Sequence, residues 1–423
     1  MPSDTLVEVN PKNPLLVPYF PKLTRFFLDQ SPANTPEVGC LPDLAALQAA
    51  APDFLLLNGT VHYAQDVQGL MEQLQGALPP KTRVILIYYN SLWRPLTQLA
   101  SWIGIRSQLP EQNWIATEDI ANLCRLADFE IIRHDRRVLL PLWIPLLSHF
   151  VNRYLAPLPL FSGACLVKMA IIRPKKPVAW LLGTPSVSVV VAARNEAGNI
   201  ARLVERLPKM GPADELIFVE GGSTDETWSE IIRIQEQYRG QVEILATRQD
   251  GTGKGDAVRK GFSLATREIL MILDADMTVP PEELPKFYAA MTRNHGEFIN
   301  GSRLVYPMER QAMRFFNILG NGFFAFAFSF LLGQRFKDTL CGTKVLTREN
   351  YEKLAQCRSY FGDFDPFGDF DLIFGAARMG LQITELPVHY KDRTYGDTNI
   401  QRWRHGAILL AMTWFAARKL KFL

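Results

Sequence analysis

The sequence has few cysteines and histidines, and their spacing is unlike that of a disulfide framework or a zinc site. The 423-residue chain has six scattered histidines and five cysteines, Cys40, Cys124, Cys165, Cys341 and Cys357. Zinc sites and disulfide-rich secreted domains need closely spaced or regularly paired ligands, which this pattern does not provide. The cysteine usage is typical of a protein in a reducing cytosol.

The chain also lacks a strong charge excess and a signal-peptide pattern. Its formal net charge is only +3, so the composition gives no indication of a nucleic-acid partner. The first residues, Met-Pro-Ser-Asp-Thr, do not show the basic and then apolar order of a secretory signal. No oligomeric state follows from these features.

Three apolar segments are too short or too interrupted for a straight membrane-spanning helix. Residues 138–160 contain four prolines. Residues 407–417 are only eleven, too short to span a bilayer, and basic residues follow them. Residues 315–333 contain seven phenylalanines but also Asn317, Asn321 and glycines, which predicts an interfacial or reentrant pair of helices. We expect contact with a membrane surface. For residues 315–333 and 407–417 the alternative is a buried core helix with a solvated basic end, and for residues 138–160 it is a packed arm between domains.

The most informative motif is a pair of aspartates that follows a short apolar run. Residues Ile269–Leu273 predict a buried strand, and Asp274 and Asp276 come directly after it. Two carboxylates this close repel each other unless a cation lies beside them. A hard divalent ion that also binds a diphosphate meets this need. A solvated turn at a strand end is the alternative for an isolated motif of this kind.

Three further junctions place polar residues after predicted strands or before helices. A strand beginning at Val187 ends in Arg194-Asn195-Glu196, and the strand Glu215–Glu220 runs into a Gly-Gly-Ser-Thr-Asp loop. Residues 251–256 form a glycine-spaced loop with one cation, Lys254, before a helix predicted from Ala257. Such an ordered set predicts a nucleotide site at the carboxyl ends of strands in an open α/β sheet.

Residues from about 185 to 405 resemble glycosyltransferase family 2, in particular its dolichyl- or polyprenyl-phosphate sugar synthases. The resemblance is carried by blocks in the family's order: Val191–Glu196, Glu220–Asp225, Gly253–Gly261, Asp274 with Asp276, Gly301–Arg303, Asp338–Lys344 and Arg393–Asn399. The chain departs from the family at Ala192 and Arg194, where Pro and Tyr are common, and at Glu220-Gly221, where paired Asp is common. Thr398-Asn399 replaces a Ser-Lys. The nucleotide base therefore stays open.

The resemblance implies an α/β fold with a GT-A type nucleotide-diphospho-sugar transferase domain over residues 186–405. It implies metal-dependent transfer from a donor of the GDP-mannose or UDP-glucose type, with Mg²⁺ or Mn²⁺ bound by Asp274 and Asp276. Seven positions are implied to bind the donor: Ala192, Arg194, Glu196, Glu220, Asp225, Lys254 and Asp274.

The acceptor implied by the resemblance is a polyprenyl phosphate, which needs cations rather than a general base. Arg303, Arg314 and Arg393 match phosphate-binding arginines, and Asp371 is a secondary candidate. Asp338 is either a base for a hydroxyl acceptor or a residue that orients Arg or Lys. The catalytic set is thus Asp274, Asp276, Arg303, Arg393 and Asp338. Two alternatives stay open: transfer to a glycan hydroxyl, and a non-catalytic nucleotide-sugar binding module.

The remaining regions are expected to support this domain. Residues 1–172 resemble the second half of a class I methyltransferase, so an N-terminal partial Rossmann-like domain with a docking or regulatory role is expected. Its first half is expected to be missing, and methyltransfer would need a partner chain. Residues 173–185 are a basic Pro/Gly linker, and residues 406–423 an amphipathic basic helix. The expected location is cytoplasmic, peripheral on the cytoplasmic face of the membrane.

Overall fold

The chain forms two compact units, each with its own sheet. The computed structural model describes residues 4–11, 16, 18–20, 23–27, 40–106, 113–176, 183–306, 315–358, 370–393, 395 and 402–422. Unit 1 comprises Met1–Lys176 and Phe422–Leu423, and unit 2 comprises Pro177–Lys421.

Unit 1 contains a seven-stranded sheet with helices between its strands. The strands are β1 Leu6–Val9, β2 Leu23–Phe26, β3 Cys40–Leu41, β4 Phe54–Asn58, β5 Arg83–Tyr89, β6 Phe129–Arg137 and β7 Val167–Pro174. Their order is β3-β2-β1-β4-β5-β7-β6, and β7 runs antiparallel to β5 and β6. The helices are α1 Leu44–Ala50, α2 Val67–Ala77, α3 Arg94–Trp102, α4 Thr117–Leu126, α5 Leu147–Phe150 and α6 Pro159–Ser162.

The Rossmann-like character expected for this region is confirmed, but one part of the expectation was wrong. The first half of the sheet is present, because β2 pairs in parallel with both β1 and β3, and β1 pairs in parallel with β4. These strands have only four, four and two residues. Strands this short leave almost no hydrophobic period in a Pro-rich sequence, which explains why the pattern did not predict them. The methyltransferase resemblance itself stays a prediction.

Unit 2 is built on a second seven-stranded mixed sheet. Its strands are β8 Val187–Ala193, β9 Glu215–Glu220, β10 Glu243–Arg248, β11 Ile269–Ile272, β12 Phe298–Ser302, β13 Lys344–Thr347 and β14 Ile383–Pro387. The order is β10-β9-β8-β11-β13-β12-β14, with β13 antiparallel to its two neighbours. The helices are α7 Ala197–Arg206, α8 Thr227–Gln237, α9 Lys254–Leu264, α10 Leu284–Thr292, α11 Phe315–Leu332, α12 Arg348–Gln356, α13 Phe370–Arg378 and α14 Arg402–Ala416.

Helices cover both faces of this sheet, so its central strands are apolar on both sides. In β8, Val187, Val189 and Val191 point into the core shared with α7, α8 and α10. Val190 points into the opposite core, shared with α9, α11, α12, α13 and α14. This double burial is why β11 is a continuous apolar run, and why β8 is apolar on both faces apart from the buried Ser188.

The strand order reverses between β8 and β11, and this reversal positions the site. From β8 the chain continues outwards to β9 and β10, and β11 then returns to the other side of β8. In open α/β sheets, ligands bind in the crevice outside the carboxyl ends of strands at such a point. Glu196 follows β8, and Asp274 and Asp276 follow β11, so the crevice lies among these carboxylates.

Two predicted helix features in unit 2 need correction. The helix expected from Ala257 begins at Lys254, which places Lys254 on its first turn. The expected pair of helices at residues 315–333 is a single helix, α11. Asn321 does not interrupt α11, because its side-chain amide donates to Asp338 at 2.9 Å and is satisfied inside the fold.

The C-terminal segment forms α14 and then a π-helical turn, Ala417–Lys421. Leu409, Met412 and Ala416 are buried in the core shared with α11, whereas Leu410 and Trp414 are exposed. None of the helices in the described part of the chain is both long and apolar enough to cross a membrane.

Candidate functional site

The two aspartates after β11 each form an ion pair with a different cation. Asp274 Oδ1 lies 2.5 Å from Lys254 Nζ, and Asp276 Oδ2 accepts from Arg393 Nη2 at 2.5 Å. The other oxygen of Asp276 accepts from the backbone N–H and the hydroxyl of Thr278. The chain therefore turns sharply after β11 and presents the two carboxylates to two separate positive groups.

Positive charge dominates around Asp274. Burial would raise the pKa of Asp274, but the ammonium groups of Lys254 and Lys344 and the Arg303 guanidinium outweigh it and hold that pKa below its usual range. Lys344 is fully buried at the start of β13, and its ammonium donates to the carbonyl of Cys341. A carboxylate among three cations lies in a region suited to a highly charged anion such as a diphosphate.

Lys254 reaches Asp274 because of the glycine loop that starts α9. Gly253 has φ +87°, a backbone conformation that favours glycine, and the Asp256 carboxylate accepts from the Gly251 N–H at 2.8 Å. These two features fold the loop back on the first turn of α9. The N–H groups of a helix start and a lysine on its first turn together form an anion-binding arrangement.

Glu196, after β8, is a buried carboxyl group beside the Asp276–Arg393 pair. It accepts from Asn199 Nδ2 at 2.6 Å, and Arg393 Nη1 lies 3.5 Å from it. Burial raises the pKa of Glu196 to about 7, and the negative charges of Asp276 and Asp225 act in the same direction. Arg393 therefore connects the ends of β8 and β11, because it contacts a carboxyl group from each.

Asp225 joins the loop after β9 to the start of α7. Its Oδ1 accepts from the backbone N–H of Thr227 at 3.0 Å and from the Thr227 hydroxyl, and its Oδ2 accepts from Ala197 N–H and from the Tyr395 hydroxyl. Burial alone would raise the pKa of Asp225, but these hydrogen bonds outweigh it and lower that pKa. In the same loop, Glu220 accepts from the Ser223 N–H and lies 3.6 Å from Arg248. Asp225 thus fixes the loop after β9 to the loop between β8 and α7.

Asp338 holds Arg303 in a buried ion pair. Its two oxygens accept from Arg303 Nε and Nη2 at 2.7 and 2.8 Å, and also from the Arg303 backbone N–H. Asp338 is fully buried, and burial would raise its pKa, but Arg303 lowers that pKa to about 2. A carboxylate this weakly basic, with both oxygens occupied, is a poor general base. The sequence left two roles open for Asp338, a general base or a residue that orients a cation. Its geometry fits the second role, because it holds Arg303 in place.

The remaining candidates lie apart from this cluster or outside the described residues. Ala192 is partly buried on β8, and Arg194 is exposed at the following turn. Asp371 pairs with Arg358 at 3.1 Å at the start of α13. Arg314 lies outside the described residues, as do Thr398 and Asn399. The structure therefore brings together Asp274, Asp276, Glu196, Asp225, Lys254 and Arg393, with Arg303 and Asp338 beside them.

Three residues in the cluster had no role assigned from the sequence. A Cβ at Gly342 would meet both Asp274 Oδ2 and Lys254 Nζ, so the loop before β13 packs directly against this pair. Lys344 begins β13 directly after this loop, and Tyr395 contacts Asp225. The signal for the first two was their place in the Asp338–Lys344 block, but nothing in the sequence indicates that this block folds back on Asp274.

The donor atoms at the aspartate pair suit a hard divalent cation. Carboxylate oxygens are the protein ligands that Mg²⁺ and Mn²⁺ prefer, and Asp274 and Asp276 present oxygens from positions one residue apart. Within the described ranges, no group of three or more His, Cys, Asp or Glu side chains is arranged to hold a metal ion.

Residues 188–354 match the model of the family described as Glycosyl transferase family 2. Glycosyltransferase AglJ of Haloferax volcanii is 30% identical over 227 residues, which cover 53% of this chain and 69% of AglJ. The undecaprenyl-phosphate 4-deoxy-4-formamido-L-arabinose transferase of Salmonella newport is 24% identical over 50% of this chain and 62% of its own length. A solved structure of glucosyl-3-phosphoglycerate synthase from Mycobacterium tuberculosis, with Mn²⁺ and UDP, aligns at 15% identity over 56% of this chain and 80% of its own, with a TM-score of 0.40. The family match, together with the mixed sheet of unit 2, confirms the expected GT-A type α/β fold.

Proposed function

We propose that this chain, which belongs to glycosyltransferase family 2, transfers a sugar from a nucleotide diphosphate donor to a polyprenyl phosphate at a membrane surface. The observation that carries the proposal is the pairing of each aspartate after β11 with its own cation, Lys254 at Asp274 and Arg393 at Asp276. Two anionic substrates need positive groups to bind them, and a divalent cation needs carboxylate oxygens beside those groups.

The donor is assigned to the side of the site formed by Asp274, Lys254 and the loop of Gly342. As the glycosidic bond breaks, negative charge grows on the leaving diphosphate. Lys254 and Lys344 then stabilise that negative charge. The Arg303 guanidinium, held in place by its ion pair, stabilises it further. A Mg²⁺ or Mn²⁺ ion held by Asp274 and Asp276 would neutralise part of the same charge. Glu196 and Asp225 are assigned to the nucleoside.

The acceptor is assigned to the Arg393 side of the site. A phosphate acceptor is already ionised at neutral pH and needs a guanidinium partner rather than a base. The low pKa of Asp338 and its ion pair with Arg303 support this choice over a hydroxyl acceptor, which needs a base. The name of the Salmonella relative, a transferase acting on undecaprenyl phosphate, supports it as well. Such an acceptor would bring the enzyme to a membrane surface, for which we propose the cytoplasmic face.

A ligand panel tests the donor half of the proposal. UDP-, GDP- and dTDP-sugars are added to the protein with and without Mn²⁺, and thermal stability is measured. We expect one base to raise the melting temperature, and Mn²⁺ to enlarge the shift. Lys254→Met should weaken donor binding about 10- to 100-fold, because it removes a charge-assisted contact to the diphosphate. Lys209→Met, which removes an exposed lysine elsewhere in unit 2, is the matched control.

A transfer assay tests the acceptor half. With the donor identified, detergent-solubilised polyprenyl phosphate and a soluble glycan are compared as acceptors. Arg393→Gln should lower kcat/KM for the lipid phosphate at least about 100-fold, because the guanidinium contact to an anion is lost. Transfer to the glycan alone would favour a hydroxyl acceptor. Equal losses of donor binding and transfer in Arg393→Gln would instead assign Arg393 to the donor.

A further inference from the structure

Helix α3 in unit 1 has an apolar face that is exposed. Leu92, just before the helix, is 68% exposed, and Leu96, Leu99 and Ile103 are each about half exposed. These positions recur every three to four residues, so their side chains lie in one stripe along a helical surface. A stripe of this kind normally packs against another element, but here it faces outwards.

A second group of exposed apolar side chains lies in the segment of residues 142–160. Trp143 is 84% exposed and Leu146 is 88% exposed. The backbone that carries them is fixed: the Ser148 hydroxyl donates to Leu142 O and accepts from Ile144 N–H, and Asn152 Oδ1 accepts from the N–H groups of Leu139 and Leu140. The segment therefore holds its apolar side chains outwards in a defined position.

Hydrogen bonds connect these two groups at one edge of the sheet of unit 1. Asn90, at the end of β5, donates to the carbonyls of Gly163 and Cys165, and Trp93 Nε1 donates to Ala164 O at 2.7 Å. Asn90 and Trp93 precede α3, and residues 163–165 follow the second segment. We call the stripe on α3 and the exposed side chains of residues 142–160 together the apolar edge of unit 1.

The stretches of chain that carry the apolar edge are basic. Residues 91–106 and 136–166 contain no Asp or Glu, and Asp135, just before the second stretch, lies 3.6 Å from Arg133. The basic residues in these stretches include Arg94 on α3, and Arg137 and Arg153, which line an open groove of about 750 Å³ with Trp143 and Leu146. An exposed apolar surface that carries tryptophan and has arginine neighbours complements anionic lipid headgroups over acyl chains.

We propose that the apolar edge of unit 1 docks on the surface of an anionic lipid bilayer. Trp143, Leu146 and the stripe on α3 enter the boundary between headgroups and acyl chains, and the arginines contact lipid phosphates. This inference deepens the proposed function, on which it rests for the lipid acceptor: it names a bilayer contact in the unit that lacks the proposed transferase site.

Vesicle co-sedimentation of the full chain tests this surface. Vesicles of phosphatidylcholine alone are compared with vesicles that also contain phosphatidylglycerol, at low and high salt. The test variant carries Leu96→Gln, Leu99→Gln, Trp143→Gln and Leu146→Gln. The control variant carries the same change at exposed apolar positions elsewhere, Leu126→Gln, Ile232→Gln and Leu264→Gln. Donor-induced thermal shifts are measured on both variants to follow the transferase site separately.

We expect the test variant to lose at least about tenfold in partitioning onto anionic vesicles, and the control to stay within about twofold of the unchanged chain. High salt should weaken binding of the unchanged chain. Equal partitioning of the test variant and the control would overturn the inference, as would a dimer in light scattering that only the test variant abolishes. Absence of a donor shift in every protein would count against the proposed function while leaving the vesicle result to decide the docking surface.

Discussion

Gly342 lies against both members of the Asp274–Lys254 pair. A Cβ there would come within 2.6 Å of Lys254 Nζ and would overlap Asp274 Oδ2. Lys254 can move aside, but the short Asp274 side chain cannot do so without leaving the site. Gly342→Ala should therefore weaken metal-dependent donor binding at least about tenfold, measured by titration of the best nucleotide with Mn²⁺.

The control for Gly342 is Gly320→Ala in α11, where a Cβ would meet nothing within 4 Å. It should leave donor binding unchanged. If Gly342→Ala binds the nucleotide as tightly as the control does, the close approach of this loop to Asp274 has no functional consequence.

Glu196 gives a pH dependence whose sign follows from its raised pKa of about 7. In the unfolded chain a glutamate ionises near pH 4.5, so between these values the folded state binds the extra proton. The stability that this proton provides is complete below about pH 4.5 and is lost as pH rises through about 7. From about pH 5 to 8 the unchanged chain should lose about 1–3 kcal/mol relative to Glu196→Gln, which cannot ionise. Urea unfolding of unit 2 at a series of pH values measures this difference.

The exposed Glu205 supplies the comparison for Glu196. Glu205→Gln should give a stability profile parallel to that of the unchanged chain. A parallel profile for Glu196→Gln as well would mean that Glu196 ionises normally in the folded state.

The sequence predicted those site residues that follow a strand in the main parallel series. Asp274, Asp276 and Glu196 are polar residues directly after buried apolar runs, and a parallel sheet brings such positions to one edge. Gly342 precedes β13 and Lys344 is its first residue; β13 is an antiparallel strand inserted beside β11. Their approach to Asp274 depends on tertiary pairing, for which local periodicity carries no signal.

Among the elements, Asp338 connects α11 to β12. It binds Arg303, which directly follows β12, and Asn321 of α11, and its backbone carbonyl accepts from Asn300 at 2.7 Å. Replacing it by asparagine leaves the Arg303 guanidinium buried without the counter-charge that it directly contacts. Asp338→Asn should therefore destabilise unit 2 by about 3–5 kcal/mol, as expected when one partner of a buried ion pair is removed. Chemical unfolding followed by circular dichroism measures the loss.

The pKa of about 2 for Asp338 also predicts how the stability of unit 2 falls in acid. Because the folded pKa lies below the usual value of 3.8, the stability from ionised Asp338 is present above about pH 3.8 and is lost as pH falls towards about 2. This loss should be absent in Asp338→Asn. Asp250→Asn, which breaks an exposed pair with Lys260, should change stability by less than about 1 kcal/mol. A change in Asp338→Asn as small as in this control would show that the pair contributes no net stability.

Helices and strands with a strong hydrophobic period were predictable from the sequence, and those that depend on tertiary contacts were not. The buried strands β8, β9 and β11 and the amphipathic α7 follow from their apolar patterns. Helix α11 was expected to break because asparagine and glycine interrupt its apolar run. It continues because Asp338 accepts from Asn321, a partner that local sequence does not reveal.

At the scale of the whole molecule, the two units have separate hydrophobic cores. Leu57 and Leu86 belong to the core of unit 1, whereas Leu270 and Val190 belong to that of unit 2. The sequence indicated two regions through its Pro/Gly-rich basic stretch after residue 172. It did not reveal the complete sheet of unit 1, because the strands that complete it are too short to show a period.

Separate cores predict two unfolding transitions in calorimetry. Leu57→Ala removes a buried side chain from unit 1 and should lower one transition by roughly 4–20 °C, from a loss of about 2–5 kcal/mol. Leu270→Ala should lower the other by a similar amount. The nucleotide that binds best, added with Mn²⁺ at about 100 times its Kd, should stabilise only the transition that Leu270→Ala lowers, by about 2.7 kcal/mol. If both substitutions and the ligand move one common transition, the units unfold together and the proposed site is energetically coupled to unit 1. Ligand stabilisation of the Leu57-sensitive transition alone would place nucleotide binding in unit 1 and contradict the assignment of the donor to the crevice between β8 and β11.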